Sequence, residues 1–219
     1  ALDQPGSAGP RTLRLSATLA ALIVAAMIAM VFFREAQLDA FPQFVTVHAV
    51  FVLVVDSIVA YLLFAQFFYR RQFSYTILGA AYLFSALIVI PFLLAFPGAL
   101  AAEGALIGGP QSAIWLWHAW HMLFPLIVGL SLLAHQRTAD RKVTREQIGP
   151  TIGRMVASTA VLAVLISVAV TVFHDRLPVL IAPGPQPLTP AFYAAGGIAA
   201  VLTLWALGLA MRAGRSRSV

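Results

Sequence analysis

A chain of 219 residues that is 61% hydrophobic and only 10% charged, with a mean hydropathy of +0.90, is not a soluble domain, since those carry about 25% charged residues. Its net charge of +6 sits in short stretches between apolar runs, a membrane-orientation pattern rather than a nucleic-acid surface. With no cysteine it forms no disulfide, thiolate metal site or iron–sulfur cluster.

Residues 1–12 lack apolar periodicity and read as a flexible cytoplasmic tail. Residues 13–219 read as one membrane-embedded unit of all-α class, a polytopic bundle of about six transmembrane helices. The apolar runs fall at 13–33, 45–68, 73–96, 112–134, 155–173 and 191–211, each near the ~20 residues that cross a bilayer. The first run is too long for a cleaved signal peptide. Arg11, Arg14, Arg70, Arg71, Arg137, Arg141, Lys142, Arg145, Arg154, Arg212, Arg215 and Arg217 fall on one side, and Arg34 and Arg176 on the other. The positive-inside rule then puts both termini in the cytoplasm.

The stretch 97–111 is small and Gly-rich, and 174–190, with five prolines, predicts an irregular, stiff connection. The charged stretch 135–154 predicts a short surface helix ending before Gly149-Pro150. The small-residue pairs Ala163/Ser167 and Gly196/Ala200 predict close helix packing. No internal repeat suggests an inverted-repeat transporter.

The most informative stretch is 111–129, which crosses the bilayer while carrying two histidines and three tryptophans. On a helix His118 and His121 share a face with Gln111, Ile114, Pro125 and Gly129, and Trp120 points away. Such a polar stripe is costly against lipid and should face protein or a cavity. Asp56 is the one acid inside a span. At 1.5 Å per residue it lies about 16 Å down its span, and His121 about 13 Å down the next inward-running one. The matched depths predict that carboxylate and imidazole meet, with His48 two turns above. The candidate pocket comprises Asp56, Tyr82, Pro91, Gln111, Trp117, Trp120 and Pro125. The candidate metal ligands are His48, His118 and His121, for a haem b or a transition metal, although i, i+3 histidines alone are a weak signal.

Other features have simpler readings. Trp115 and Trp117 suit an aromatic belt. Pro91 and Pro125 suit kinks, Tyr82 and Ser85 interhelical hydrogen bonds, and His135 and His174 solvated span ends. Gln66 suits either a cap or a cavity wall. The sole lysine, Lys142, is in a loop, so no retinal Schiff base forms within a span. Walker A, dinucleotide and Ser–His–Asp patterns are absent from the sequence.

Residues 42–133 resemble the membrane-associated sensor domains of the fourth type. VDSIVAYLLFAQF (55–67), AAYLFSALIVIP (80–91), AFPGAL (95–100), GGPQSAIWLW (108–117) and WHMLFPL (120–126) carry the resemblance in order and spacing. Asp56, Gln66, Tyr82, Pro91, Gln111, Trp115, Trp120, His121 and Pro125 match the family pattern, whereas Phe92 and His118 depart from it. The resemblance implies a catalytically inactive sensory module of the bacterial inner membrane. Such modules precede GGDEF diguanylate cyclase or histidine kinase outputs, and those outputs imply a homodimer. Neither output is encoded in these residues, which makes the chain either a sensor portion or a stand-alone relative.

Overall fold

The structure, a computed structural model, describes residues 43–101, 104–138, 142–183 and 187–215, with isolated helical residues between 15 and 29. The chain divides into two units, 1–41 and 42–219. The predicted tail and most of the span at 13–33 lie outside the described residues. So do Arg11, Arg14, Arg34, Arg141 and Arg217.

Among the described residues the second unit has five α-helices: α1 (Phe44–Arg70), α2 (Ser74–Ala95), α3 (Ser112–Thr138), α4 (Arg145–Val172) and α5 (Pro190–Arg215), with a single 3-10 turn at His174–Arg176 between the last two. All five are long and apolar enough to span a membrane. Among the described residues the only extended pairing is one bridge, Ile181 with Leu188.

Helix α2 is the centre of the bundle. Half of its most apolar window is buried, and it packs against α1, α3 and α4, while α3 also carries α5. The reason is local. Gly79, Ala80, Ala81, Ser85 and Ala86 are buried small residues that let neighbouring backbones approach. At Gly79 a β-carbon would stand 3.1 Å from the Phe64 ring of α1. Phe84, Ile88, Val89 and Leu116 fill the remaining space and are fully enclosed.

Two features differ from expectation. No helix ends at Gly149-Pro150; α4 begins at Arg145 and runs through both residues. Proline removes one helical donor, here the partner of the Glu146 carbonyl. Pro150 and Glu146 are exposed at the end of the helix, where water can take that bond. Among the described residues the Gly196/Ala200 pair finds no close partner: a β-carbon at Gly196 meets no neighbour within 4 Å and Ala200 is exposed. Ala163, in contrast, is a buried core residue.

The segment before α5 is closed rather than merely irregular. Ala182 N–H donates to the Pro187 carbonyl (2.7 Å), Thr189 N–H to that of Leu180 (3.0 Å), and Thr189 Oγ1 to that of Val179 (2.7 Å). Gln111 at the head of α3 clamps this segment. Its Oε1 accepts from the N–H groups of Leu180 (2.9 Å) and Ile181 (3.1 Å), and its Nε2 donates to the Ile181 carbonyl (2.9 Å). Trp115 Nε1 donates to the Pro178 carbonyl (3.0 Å), so this ring is a loop anchor rather than a free belt residue. Gln111→Leu should therefore speed hydrogen exchange at the Leu180 and Ile181 amides about tenfold, for a clamp worth about 1.4 kcal/mol. Exchange unchanged at both amides would count against the clamp.

Candidate functional site

Two cavities flank α3. The first, about 520 Å³, is lined by Asp56 of α1, Ser85 of α2, Trp120, His121 and Pro125 of α3, and Thr203 of α5, with apolar side chains between them. The second, about 530 Å³, is walled by aromatic rings such as Trp117, Phe92 and Phe192, with His48 at its edge. Trp120 lines both. Both are of the size that takes small organic molecules.

The first cavity holds a directed hydrogen-bond chain. Trp120 Nε1 donates to Ser85 Oγ (2.8 Å), and the Ser85 hydroxyl donates to Asp56 Oδ2. Tryptophan can only donate and a carboxylate can only accept, so the serine proton is assigned to the Asp56 side. Asp56 and His121 thus face one cavity, as their depths predicted, but they do not bond to each other. The physical reason is the packing order: α2 stands against both α1 and α3, and its Ser85 takes the place expected for the imidazole.

His121 Nδ1 lies 2.7 Å from the Trp117 carbonyl, which makes Nδ1 the donor and leaves Nε2 as an acceptor on the neutral ring. The ring is held between Trp117 (centroids 4.0 Å apart, stacked) and Trp120 (4.9 Å). His118 is placed differently. It is fully buried among Trp115, Trp117 and Phe192, with Nδ1 2.8 Å from the Ile114 carbonyl. Its Nε2 is enclosed and finds no hydrogen-bond partner among the described residues. The stripe read from sequence does face protein: His118 meets Phe192, and Gly129 meets Trp205, both of α5.

Several candidate positions move. Tyr82, Pro91 and Gln111 line neither cavity. Tyr82 packs edge-on against Phe124, and Gln111 is spent on the loop. Trp117 lines the second cavity, while Asp56 and Pro125 line the first. His48, His118 and His121 do not assemble as a metal set: among the described residues no three His, Asp or Glu side chains gather in that way. Gln66 accepts from Arg70 Nε (3.3 Å). His135 Nδ1 lies 3.4 Å from Ser74 Oγ, so it is partnered at its span end. His174 Nδ1 lies 2.9 Å from Asp175 Oδ1. The wall contributed by α5, Thr203 with Ala206 and Leu207, was not anticipated. A lone threonine in an apolar span was its only sequence signal.

The family model for membrane-associated sensor, integral membrane domains matches residues 39–218. No curated protein and no solved structure matches the chain.

Proposed function

The chain belongs to the membrane-associated sensor, integral membrane domain family, type four, and from that premise we propose that its first cavity is the receptor pocket of a bacterial inner-membrane signalling protein. The module performs no catalysis of its own. A ligand or membrane condition acts on the Asp56–Ser85–Trp120 chain, and helix movement carries the signal to a cytoplasmic output, a GGDEF diguanylate cyclase or a histidine kinase, in a homodimer. The observation that carries the reading is that one hydrogen-bond chain joins α1, α2 and α3 at the wall of a single cavity. Any occupant that competes for Asp56 then has a direct hold on the relation between three helices, which is the differential contact a two-state relay requires.

Cytoplasmic termini are part of the proposal. Arg70, Arg71 and Lys142 line one surface hollow, and Val143 N–H donates to the Arg71 carbonyl (2.9 Å), so the loops after α1 and before α4 share one membrane face. That clustering supports the positive-inside orientation. A haem or copper protein using His48, His118 and His121 together has less support, because the three do not converge.

The test is a fusion of the chain to a diguanylate cyclase. Asp56→Asn and His121→Ala should each change basal cyclase output by about fivefold or more, the lower range of allosteric coupling, at unchanged membrane level. Output unaltered by both substitutions would overturn the assignment of this cavity as the receptor pocket.

A further inference from the structure

Among the described residues the first cavity presents hydrogen-bond acceptors and no free donors. Each donor in its wall is already committed. Trp120 Nε1–H goes to Ser85, and the Ser85 hydroxyl to Asp56. His121 Nδ1–H goes to the Trp117 carbonyl, and the Thr203 hydroxyl to that of Ala199 (2.8 Å). What remains is acceptor capacity. Ser85 occupies one site on a carboxylate that has about four. His121 keeps the Nε2 lone pair, and Thr203 Oγ1 keeps lone pairs of its own. Pro125, also in the lining, has no N–H and so adds no donor. The rest of the lining, with Val52, Phe124, Val128 and Leu207, is apolar.

From this we infer that the cavity takes an organic ammonium: a protonated amine on an apolar body, its N–H groups meeting Asp56 and the neighbouring acceptors. A carboxylate or phosphate ligand would find no donor and would face Asp56. A neutral hydrocarbon would leave these acceptors unmet, at a cost that grows as water is excluded. Only a ligand that brings donors satisfies the wall, and only a cationic one also balances the single intramembrane carboxylate. The inference rests on the reading of this cavity as the receptor pocket and names the chemistry of what enters it.

The test uses the full chain in phosphatidylcholine nanodiscs, with 1-pyrenemethylamine as the probe. Binding is read as energy transfer from tryptophan to pyrene, corrected for empty discs. Saturable binding near one equivalent per chain is expected for the amine. Binding of 1-pyrenecarboxylic acid should be weaker by at least about tenfold, and Asp56→Asn should weaken the amine by a similar factor. Val52→Phe and Val128→Phe, from different helices, should each exclude the probe while leaving the circular dichroism and melting temperature in place. Two results would overturn the inference: a signal that only follows lipid content, or amine affinity unaffected by Asp56→Asn and by whichever of the filling variants folds. If amine binding is absent but Asp56→Asn still alters cyclase output, this inference falls and the receptor reading stands. If the amine binds as expected but output ignores both Asp56→Asn and His121→Ala, the ligand class stands and the receptor reading falls.

Discussion

Ser85→Ala should destabilise the bundle by about 2 kcal/mol, and most of that loss should vanish when Asp56 is first replaced by Asn. The magnitude follows from what the hydroxyl does. Neutral interhelical hydrogen bonds in membranes contribute about 0.6 kcal/mol on average and about 1.7 at most. Bonds to charged groups contribute about 1.5–3 kcal/mol. The Ser85 hydroxyl donates to Asp56 and accepts from Trp120, so its removal breaks one bond of each kind and leaves the carboxylate without its donor. Trp120→Phe removes the neutral bond and also shrinks an indole packed against Phe92 and His121 to a phenyl ring, so its cost should exceed the ~0.6 kcal/mol of the bond alone. A double-mutant cycle on Ser85 and Asp56, measured by reversible unfolding in bicelles, should give a coupling of at least about 1 kcal/mol. Additive effects within about 0.5 kcal/mol would mean that the chain carries no charge-assisted bond.

Span positions were largely legible from the sequence because the bilayer imposes them. Helix α1 begins one residue before the predicted run and α2 one residue after it, since run length and hydropathy answer directly to hydrocarbon thickness. The start of α4 was not legible. Gly149-Pro150 carries a stop signal, but at an exposed helix end the missing donor costs little, and the helix runs through it. Residues 13–33 show the opposite situation: hydropathy marks a span there, and most of it lies outside the described residues.

The site was legible in depth and not in partnership. Counting rise per residue brought Asp56 and His121 to one level, and they do line one cavity. Which helix stands between them depends on packing order, and nearly uniform apolar spans carry little information about that. The usable clue was the small-residue content of α2, which marks a helix built for close neighbours on several sides. With α2 central, Ser85 becomes the natural donor to Asp56. Gln111 illustrates a second limit. A polar residue at a span end looks like a pocket wall, but its fate here was set by two backbone amides about 70 positions away that needed an acceptor. Helix α5 was read from hydropathy and its Gly196/Ala200 pair, neither of which points to Thr203, and so its wall of the cavity was missed.

Gly129→Ala should destabilise the protein by about 2 kcal/mol, against the usual sign for such a change. An open helical glycine replaced by alanine gains up to about 1 kcal/mol, because the unfolded chain loses freedom and the helix gains propensity. Gly196→Ala and Gly208→Ala should show that gain, since a β-carbon at either meets nothing. At Gly129 the β-carbon would overlap the Trp205 ring of α5, and overpacking of this kind costs about 1–3 kcal/mol. Strain is relieved by moving α5 away from α3, and α5 carries Thr203, Ala206 and Leu207 of the first cavity. The same substitution should therefore change cyclase output in the fusion, whereas Gly196→Ala should not. Trp205→Ala in the Gly129→Ala background should remove the overlap, so that alanine at 129 becomes neutral or favourable relative to Trp205→Ala alone. If Gly129→Ala instead matches Gly196→Ala in stability and in output, α3 and α5 do not meet at this contact. The cavity then loses the wall that α5 supplies.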